Sequence, residues 1–191
     1  MTSETAQLCD DGTLQLIIAT AGGNAEGAVA MIDTALATWP ADHRLHFLRG
    51  SLLVGLKRFV GAHQAMARAV SLAPDFTLAR FQLGFFELTS GEPEAARATW
   101  QPLKLALTPG SWMLFFVQGL EHLINDCFAE CIACLEEGIR LNDENLPLNT
   151  DMTLIIDKCR DLLGPDAVAE STEEPQISAT SFLLGHRTRR H

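Results

Sequence analysis

Apolar residues recur every three or four positions along most of the sequence, and this spacing predicts a succession of amphipathic helices. Between residues 25 and 39, for example, Ala28, Met31, Ile32 and Ala35 fall on one helical face. The sequence shows no pattern of alternating strands. Glycines and prolines interrupt the helical pattern at regular intervals and mark turns. The pattern therefore predicts an all-α protein built from short helices.

The interruptions, and small residues between them, repeat with a period of 34 residues. Each period contains two predicted helices joined by a short turn. Proline closes the second helix in several periods, because proline lacks an N–H and clashes with the preceding helical turn. The residues that keep the spacing are Ala28, Ala62 and Ala96; Gly50 and Gly84; Ala35 and Ala69; and Pro40 and Pro74.

A 34-residue period with a helix–turn–helix in each unit resembles the tetratricopeptide repeat (TPR) family. The resemblance implies a right-handed helical solenoid with a cap at its end. The cap is predicted to be a helix over residues 150–163, with Thr150 or Asp151 as its N-cap and Gly164 as its end. Residues 1–9 are predicted to be a disordered lead-in, and residues 165–191 a flexible, disordered tail. The predicted repeats, about four in number, span residues 10–42, 43–76, 77–110 and 111–143.

Three repeats depart from the regular pattern. In the first, Leu16 stands at the eighth position, where a small residue is expected, so the first helix is predicted to be irregular. In the third, Pro102 lies inside a predicted helix and is expected to kink or shorten it. The fourth repeat has Leu141, Asn142 and Asp143 in place of a closing proline.

Charge and composition narrow the classes of partner. The 24 acidic residues exceed the 14 Lys and Arg residues, and the formal net charge is −10. Such a chain is a poor match for nucleic acid, whose binding depends on the neutralisation of phosphates, and for an anionic membrane surface. No apolar run is long enough for a transmembrane helix, and the first residues do not resemble a secretory signal. The five cysteines do not form a disulfide framework, so we expect a cytoplasmic protein with reduced thiols.

Three cysteines, Cys127, Cys131 and Cys134, have the spacing of the cluster-binding loop in radical-SAM enzymes. That family requires a β/α barrel, which the helical pattern excludes. The three residues fall on one face of a predicted helix, and Cys131 occupies a position where TPR helices need a small, buried residue. The structural interpretation is therefore favoured. Zinc held by these cysteines and His122 is chemically sound, although His122 lies before the intervening turn.

No arrangement of residues predicts catalysis. The sequence contains no Ser-His-Asp order, no glycine-rich phosphate loop and no H-E-x-x-H motif, and its six histidines are scattered. We therefore expect no enzymatic activity and no cofactor.

The resemblance to TPR proteins identifies a candidate binding groove. In that family, the concave groove is lined by the second, fifth, ninth and twelfth residues of each unit. Most of the corresponding side chains here are apolar, which favours a groove for an amphipathic helix or an extended segment of a partner. Some of these aromatic residues could instead pack between repeats. The predicted groove residues are Arg44, Phe47, Ser51, Val54, Leu78, Phe81, Phe85, Leu88, Met113, Phe116, Leu120 and Leu123.

The predicted tail ends in an apolar triplet followed by three arginines. Because the repeat body is acidic, the tail is expected to be able to fold back into the groove, or alternatively to bind another molecule. The residues of this motif are Phe182, Leu183, Leu184, Arg187, Arg189 and Arg190.

These observations predict a non-catalytic scaffold or adaptor that binds a protein segment in an apolar groove. One alternative is a chaperone for apolar segments of a client protein, because the chain is similar to the class II chaperones of type III secretion in repeat number and acidic balance. Another alternative is a metal or iron–sulfur protein that uses the three cysteines. The identity of the partner, the pathway and the oligomeric state do not follow from the sequence.

Overall fold

The computed structural model describes residues 8–164, which form nine α-helices and no β-strand. This helical content confirms the all-α prediction for the described residues. Most of the predicted lead-in and the whole predicted tail lie outside the described residues. The helices are α1 (Asp11–Ala21), α2 (Ala25–Thr38), α3 (His43–Gly55), α4 (Phe59–Leu72), α5 (Thr77–Thr89), α6 (Pro93–Ala106), α7 (Trp112–Ile124), α8 (Phe128–Leu141) and α9 (Leu146–Leu163).

The chain divides into two compact units within α5, between Leu83 and Gly84. In the first unit, α1 packs on α2, α2 on α3, and α3 on α4. In the second unit, α6 packs on α7, α7 on α8, and α8 on α9. Each unit is thus built from successive helices that contact their neighbours in the chain.

Glycines allow paired helices to approach closely. A Cβ atom at Gly50 on α3 would lie 2.6 Å from Cγ of Met66 on α4. A Cβ at Gly119 on α7 would lie 2.6 Å from Cδ2 of Leu135 on α8, and one at Gly84 would collide with the indole of a tryptophan on α6. A larger residue at these positions would force the helices apart. The glycines at the eighth position of the repeats therefore lie at close helix contacts.

The first helix pair departs from this packing. Leu16, which stands where the later pairs have glycine, is 59% exposed, whereas the adjacent Ile17 is buried with Ile32 and Ala35 of α2. A leucine is too large for a close backbone contact, so α1 presents Ile17 to its neighbour instead. The irregularity predicted for this helix takes the form of a different face turned towards α2.

The turns that follow α3, α5 and α7 share one backbone feature. Each contains a residue with positive φ: Lys57 at 60°, Gly91 at 86° and Asp126 at 56°. These positions are 34 and 35 residues apart, so the turn recurs with the repeat. Left-handed backbone suits glycine and is unfavourable for residues with a Cβ. Lys57 and Asp126 therefore adopt a conformation that Gly91 adopts more easily.

The last helix begins earlier than predicted. It starts at Leu146 rather than near residue 150, with Asn145 as N-cap and Pro147 in the first turn, where its fixed φ favours helix initiation. Asn142, which is buried, donates from Nδ2 to the carbonyl of Asn145 at 2.9 Å and to Oδ1 of Asn149 at 2.7 Å. Asn149 Nδ2 in turn donates to the carbonyl of Asn142 at 3.1 Å. These amides join the end of α8 to α9 in place of a closing proline.

Pro102 does not shorten α6, contrary to the sequence-based expectation. The helix has 14 residues, the same length as α2, α4 and α8, and Pro102 lies within it on the exposed side. The missing N–H leaves the carbonyl of Ala98 without its helical donor, but Ala98 is exposed, so water can replace that hydrogen bond. The proline is tolerated because its defect faces solvent.

Candidate partner-binding surface

Half of the predicted groove residues are buried within the described structure. Their side chains belong to the core and cannot be the first contact of a partner. The apolar pattern that suggested a groove is, at these positions, the pattern of helix packing. The buried residues are Phe81, Leu88, Met113, Phe116, Leu120 and Leu123.

Apart from Arg44, four residues of the predicted groove are partly exposed on α3 and α5 of the first unit. With the neighbouring Gln82 they define what we call the α3–α5 face: Phe47, Ser51, Val54, Leu78 and Gln82. Ser51 Oγ donates to Oε1 of Gln82 at 3.3 Å, which joins α3 to α5. Phe47 and Val54 lie four residues before and three residues after Ser51, on the same side of α3, and Leu78 lies four residues before Gln82 on α5. The face is therefore apolar with one polar pair at its centre.

Phe76 supports one end of the α3–α5 face. Its ring lies edge-on to Phe47 with the centroids 5.1 Å apart, and edge-on to His43 at 5.4 Å. Edge-to-face pairs of this kind are favourable and hold rings in fixed orientations. The aromatic end of the face is thus preorganised by the residue that precedes α5. Phe85, the remaining partly exposed aromatic of the predicted groove, belongs to the second unit.

Arg44 does not act as a free groove residue, because its guanidinium is held by groups of the same chain. Arg44 Nη2 donates to the carbonyl of Cys9 at 2.7 Å and to Oδ2 of Asp42 at 2.9 Å, and Nη1 lies 3.5 Å from Asp11. Asp42 also accepts a hydrogen bond from the backbone N–H of Cys9 at 2.8 Å. Cys9, predicted to lie in the disordered lead-in, is therefore buried and attached to the start of α3.

The same network sets the pKa of Asp42. Burial by itself would raise that pKa, but the hydrogen bonds from Arg44 and from the N–H of Cys9 outweigh it and lower the pKa to about 2. Asp42 is fully buried as a carboxylate, and it remains charged because every oxygen has a donor. The network attaches the residues at the start of α1 to the start of α3.

The three cysteines of the C-x3-C-x2-C motif do not converge on one point. Cys131 is buried with its Sγ 3.8 Å from Sγ of Cys159 on α9, a neighbour that the sequence motif does not include. Cys127 points its thiol to the carbonyl of Asn125 at 3.6 Å, and Cys134 is half-buried. Among residues 8–164, no group of three His, Cys, Asp or Glu side chains is arranged to hold a metal ion. Contact with Cys159 and burial both raise the pKa of the Cys131 thiol, so it is a poor nucleophile.

A second surface feature lies between α1 and α2, and the sequence analysis did not identify it. It is an open cleft of about 280 Å³, which we call the α1–α2 cleft. The signal that could have revealed it is a fifth-position series of Thr13, Phe47, Phe81 and Phe116, in which only the first repeat lacks a phenylalanine. The residues that line the cleft are Thr13, Ile17, Met31, Thr34, Ala35, Thr38 and Trp39.

Comparison with known proteins supports the fold. No protein-family model matches the sequence. No curated protein matches it either. The structure is similar to residues 41 to the end of MamA from Desulfovibrio magneticus RS-1, with a TM-score of 0.57, 14% identity, and coverage of 86% of this chain and 100% of that chain. It is also similar to the MamA RS-1 ArsTM double mutant, with a TM-score of 0.57, 12% identity, and coverage of 96% and 100%. The chain has a TPR-like fold.

Two further predictions concern the tail motif and the absence of a membrane-spanning helix. The apolar and basic motif of the tail, from Phe182 to Arg190, lies outside the described residues. Within the described range, no helix combines the length and the apolar character that a membrane crossing requires.

Proposed function

We propose that this protein is a non-catalytic scaffold that binds an apolar segment of a partner protein on the α3–α5 face. The observation that carries the proposal is the position of Phe47 and Leu78, which are apolar, partly exposed and located on the two helices that Ser51 and Gln82 connect. A TPR-like fold supports this function, because such folds generally act as scaffolds for protein partners.

The chemistry of the face defines the partner segment. An apolar surface with an oriented aromatic end favours a segment with two or three apolar side chains on one side, as in an amphipathic helix or a strand-like peptide. The hydroxyl of Ser51 and the amide of Gln82 offer hydrogen bonds to the backbone of an extended segment. We therefore favour a partner segment that is extended, has apolar side chains and has backbone groups free to form hydrogen bonds. A charged segment would not match this face.

Peptide selection tests the proposal. Peptides are selected from a random library against the full chain, and their affinities are measured by fluorescence anisotropy. In the full chain, Phe47→Ser and Leu78→Ser should each weaken binding about 30-fold, which corresponds to the loss of a central anchor. Val60→Ser is the matched control, because Val60 is apolar and 76% exposed but lies on α4, outside the face. Equal losses for all three variants, or no loss for Phe47→Ser and Leu78→Ser, would disprove the proposed surface.

A chaperone would use the same face on a client that cannot remain soluble alone. The acidic net charge of −10 suits this function, because like-charged complexes resist aggregation. The two functions are distinguished by expressing the identified partner without this protein. A partner that stays folded and soluble indicates an adaptor, whereas a partner that precipitates unless this chain is present indicates a chaperone.

A further inference from the structure

The α1–α2 cleft lies where a later helix pair holds a phenylalanine ring. In the pair α7–α8, Phe116 is so close to Gly138 that a Cβ at Gly138 would collide with the ring. Counting back by repeats of 35, 34 and 34 residues, Thr13 corresponds to Phe116, and Ala35 corresponds to Gly138. Thr13 and Ala35 both line the cleft. The cleft therefore corresponds to the space of one missing aromatic side chain.

The lining of the cleft suits an apolar side chain. Its volume of about 280 Å³ is slightly below the usual range of about 300–1,000 Å³ for small-molecule sites. The hydroxyl of Thr13 already donates to Asp10 at 2.8 Å, and that of Thr34 donates to the carbonyl of Ala30 at 3.0 Å. Met31 and Trp39 also line the cleft, and both make favourable contacts with aromatic rings.

The acidic residues beside the α1–α2 cleft add a second requirement for a segment that binds there. Between residues 8 and 42 the sequence contains acidic residues but no lysine or arginine, although Arg44, Arg49 and Arg58 from later in the chain pair with Asp11, Glu26, Asp33 and Asp42. Asp10 is the N-cap of α1, and its carboxylate contacts Thr13 at the edge of the cleft. Oppositely charged groups near such a site steer a ligand and fix its orientation. A matching segment has one aromatic residue for the cleft and basic residues beside it for the Asp10 carboxylate.

We propose that the α1–α2 cleft binds residues 182–190 of this chain, with Phe182 in the cleft and the arginines directed towards Asp10. Phe182 is the only Phe, Tyr or Trp in the sequence after Phe128. Arg187, Arg189 and Arg190 follow it within eight residues, which is the combination that the cleft and its charged edge require. This site is separate from the α3–α5 face, so the failure of either proposal leaves the other intact.

Photo-cross-linking in the full chain tests the proposal. Phe182 is replaced by p-benzoylphenylalanine, whose activated ketone inserts into nearby C–H bonds, and the cross-linked peptides are identified by mass spectrometry. We expect cross-links to the segment from Met31 to Trp39, which lines the cleft. Products with the mass of one chain indicate that the segment binds within its own molecule, and products with the mass of two chains indicate binding to a second copy. Both products support the proposed site.

Two variants and one position control make the test specific. Thr13→Phe fills the cleft with its own ring and should reduce the cross-link about tenfold, whereas Gln15→Phe, on an exposed position of α1, should not. Replacing the three arginines with serine should also reduce it, without any change to the described helices. The photoreactive residue at Gln176 should not cross-link to the cleft. Cross-links confined to other helices, no cross-link, or an equal yield in Thr13→Phe would overturn the proposal.

Discussion

The carboxylate of Asp42 accepts a hydrogen bond from Arg44 Nη2 at 2.9 Å, and both residues hold the backbone of Cys9. This pair attaches α1 to the start of α3 through a buried charge. The stability of the first unit should therefore depend on the protonation of Asp42.

Asp42→Asn should lower the free energy of unfolding by about 2 kcal/mol, because the amide cannot match the charge of Arg44 or accept as many donors. The pKa of Asp42 is lowered from 3.8 to about 2, so its stabilising effect is complete above pH 4 and is lost as the pH falls towards 2. Acid unfolding followed by circular dichroism should show this dependence in wild type and much less of it in Asp42→Asn. The control is Asp75→Asn at an exposed turn position. Identical acid transitions in wild type and Asp42→Asn would contradict the prediction.

The positive φ angles at Lys57 and Asp126 make a stabilising substitution possible. Lys57→Gly and Asp126→Gly should each raise the free energy of unfolding by up to about 1 kcal/mol, because glycine adopts this backbone without a steric penalty. Chemical denaturation measures the change. Arg68→Gly, in the middle of α4, should have the opposite sign because glycine weakens a helix interior. The explanation fails if Lys57→Gly and Arg68→Gly are equally destabilising.

The close contact at Gly50 predicts a large effect from a single methyl group. Gly50→Ala should destabilise by about 1–3 kcal/mol, because the new Cβ would lie 2.6 Å from Cγ of Met66. Gly55→Ala is the matched control on the same helix, since nothing lies within 4 Å of a Cβ at that position. Its effect should be neutral or slightly stabilising. Equal melting temperatures for the two variants would show that the α3–α4 contact is looser than described.

The cysteines should contribute packing rather than metal binding. Cys131→Ser should cost about 1–3 kcal/mol, because it places a hydroxyl in the buried contact with Cys159, whereas Cys127→Ser should have little effect. Metal analysis of the purified wild-type protein should find no stoichiometric iron or zinc. A stoichiometric metal that disappears when Cys127, Cys131 and Cys134 are all serine would establish a metal site and refute this interpretation.

The periodic positions explain why the fold could be predicted from the sequence. Gly50, Gly84 and Gly119 recur at 34 and 35 residues, and each lies at a close helix contact that excludes a larger side chain. The beginning of α9 was harder to predict from the sequence, because it depends on side-chain amides of Asn142 and Asn149 that become neighbours only after folding. A sequence pattern reports the local preference of a helix but not this later pairing.

The candidate site was predicted less well than the fold. Helical spacing indicates which residues share a face, but it does not indicate whether another helix covers that face. Phe47 and Phe116 occupy equivalent repeat positions, yet Phe47 is partly exposed and Phe116 is buried against Gly138. Similarly, the sequence predicts Arg44 as a groove residue, whereas the fold brings Cys9 to its guanidinium from 35 residues away.

The amides of Asn142 and Asn149 give the late helices a different chemical sensitivity from the early ones. These groups do not titrate between pH 2 and pH 8, so the join between α8 and α9 keeps its hydrogen bonds in acid. The join between α1 and α3 depends on a carboxylate that accepts a proton in the same range. Acid should therefore unfold α1 before it unfolds α9. Amide hydrogen exchange near pH 3 would show α1 opening while α9 is still protected.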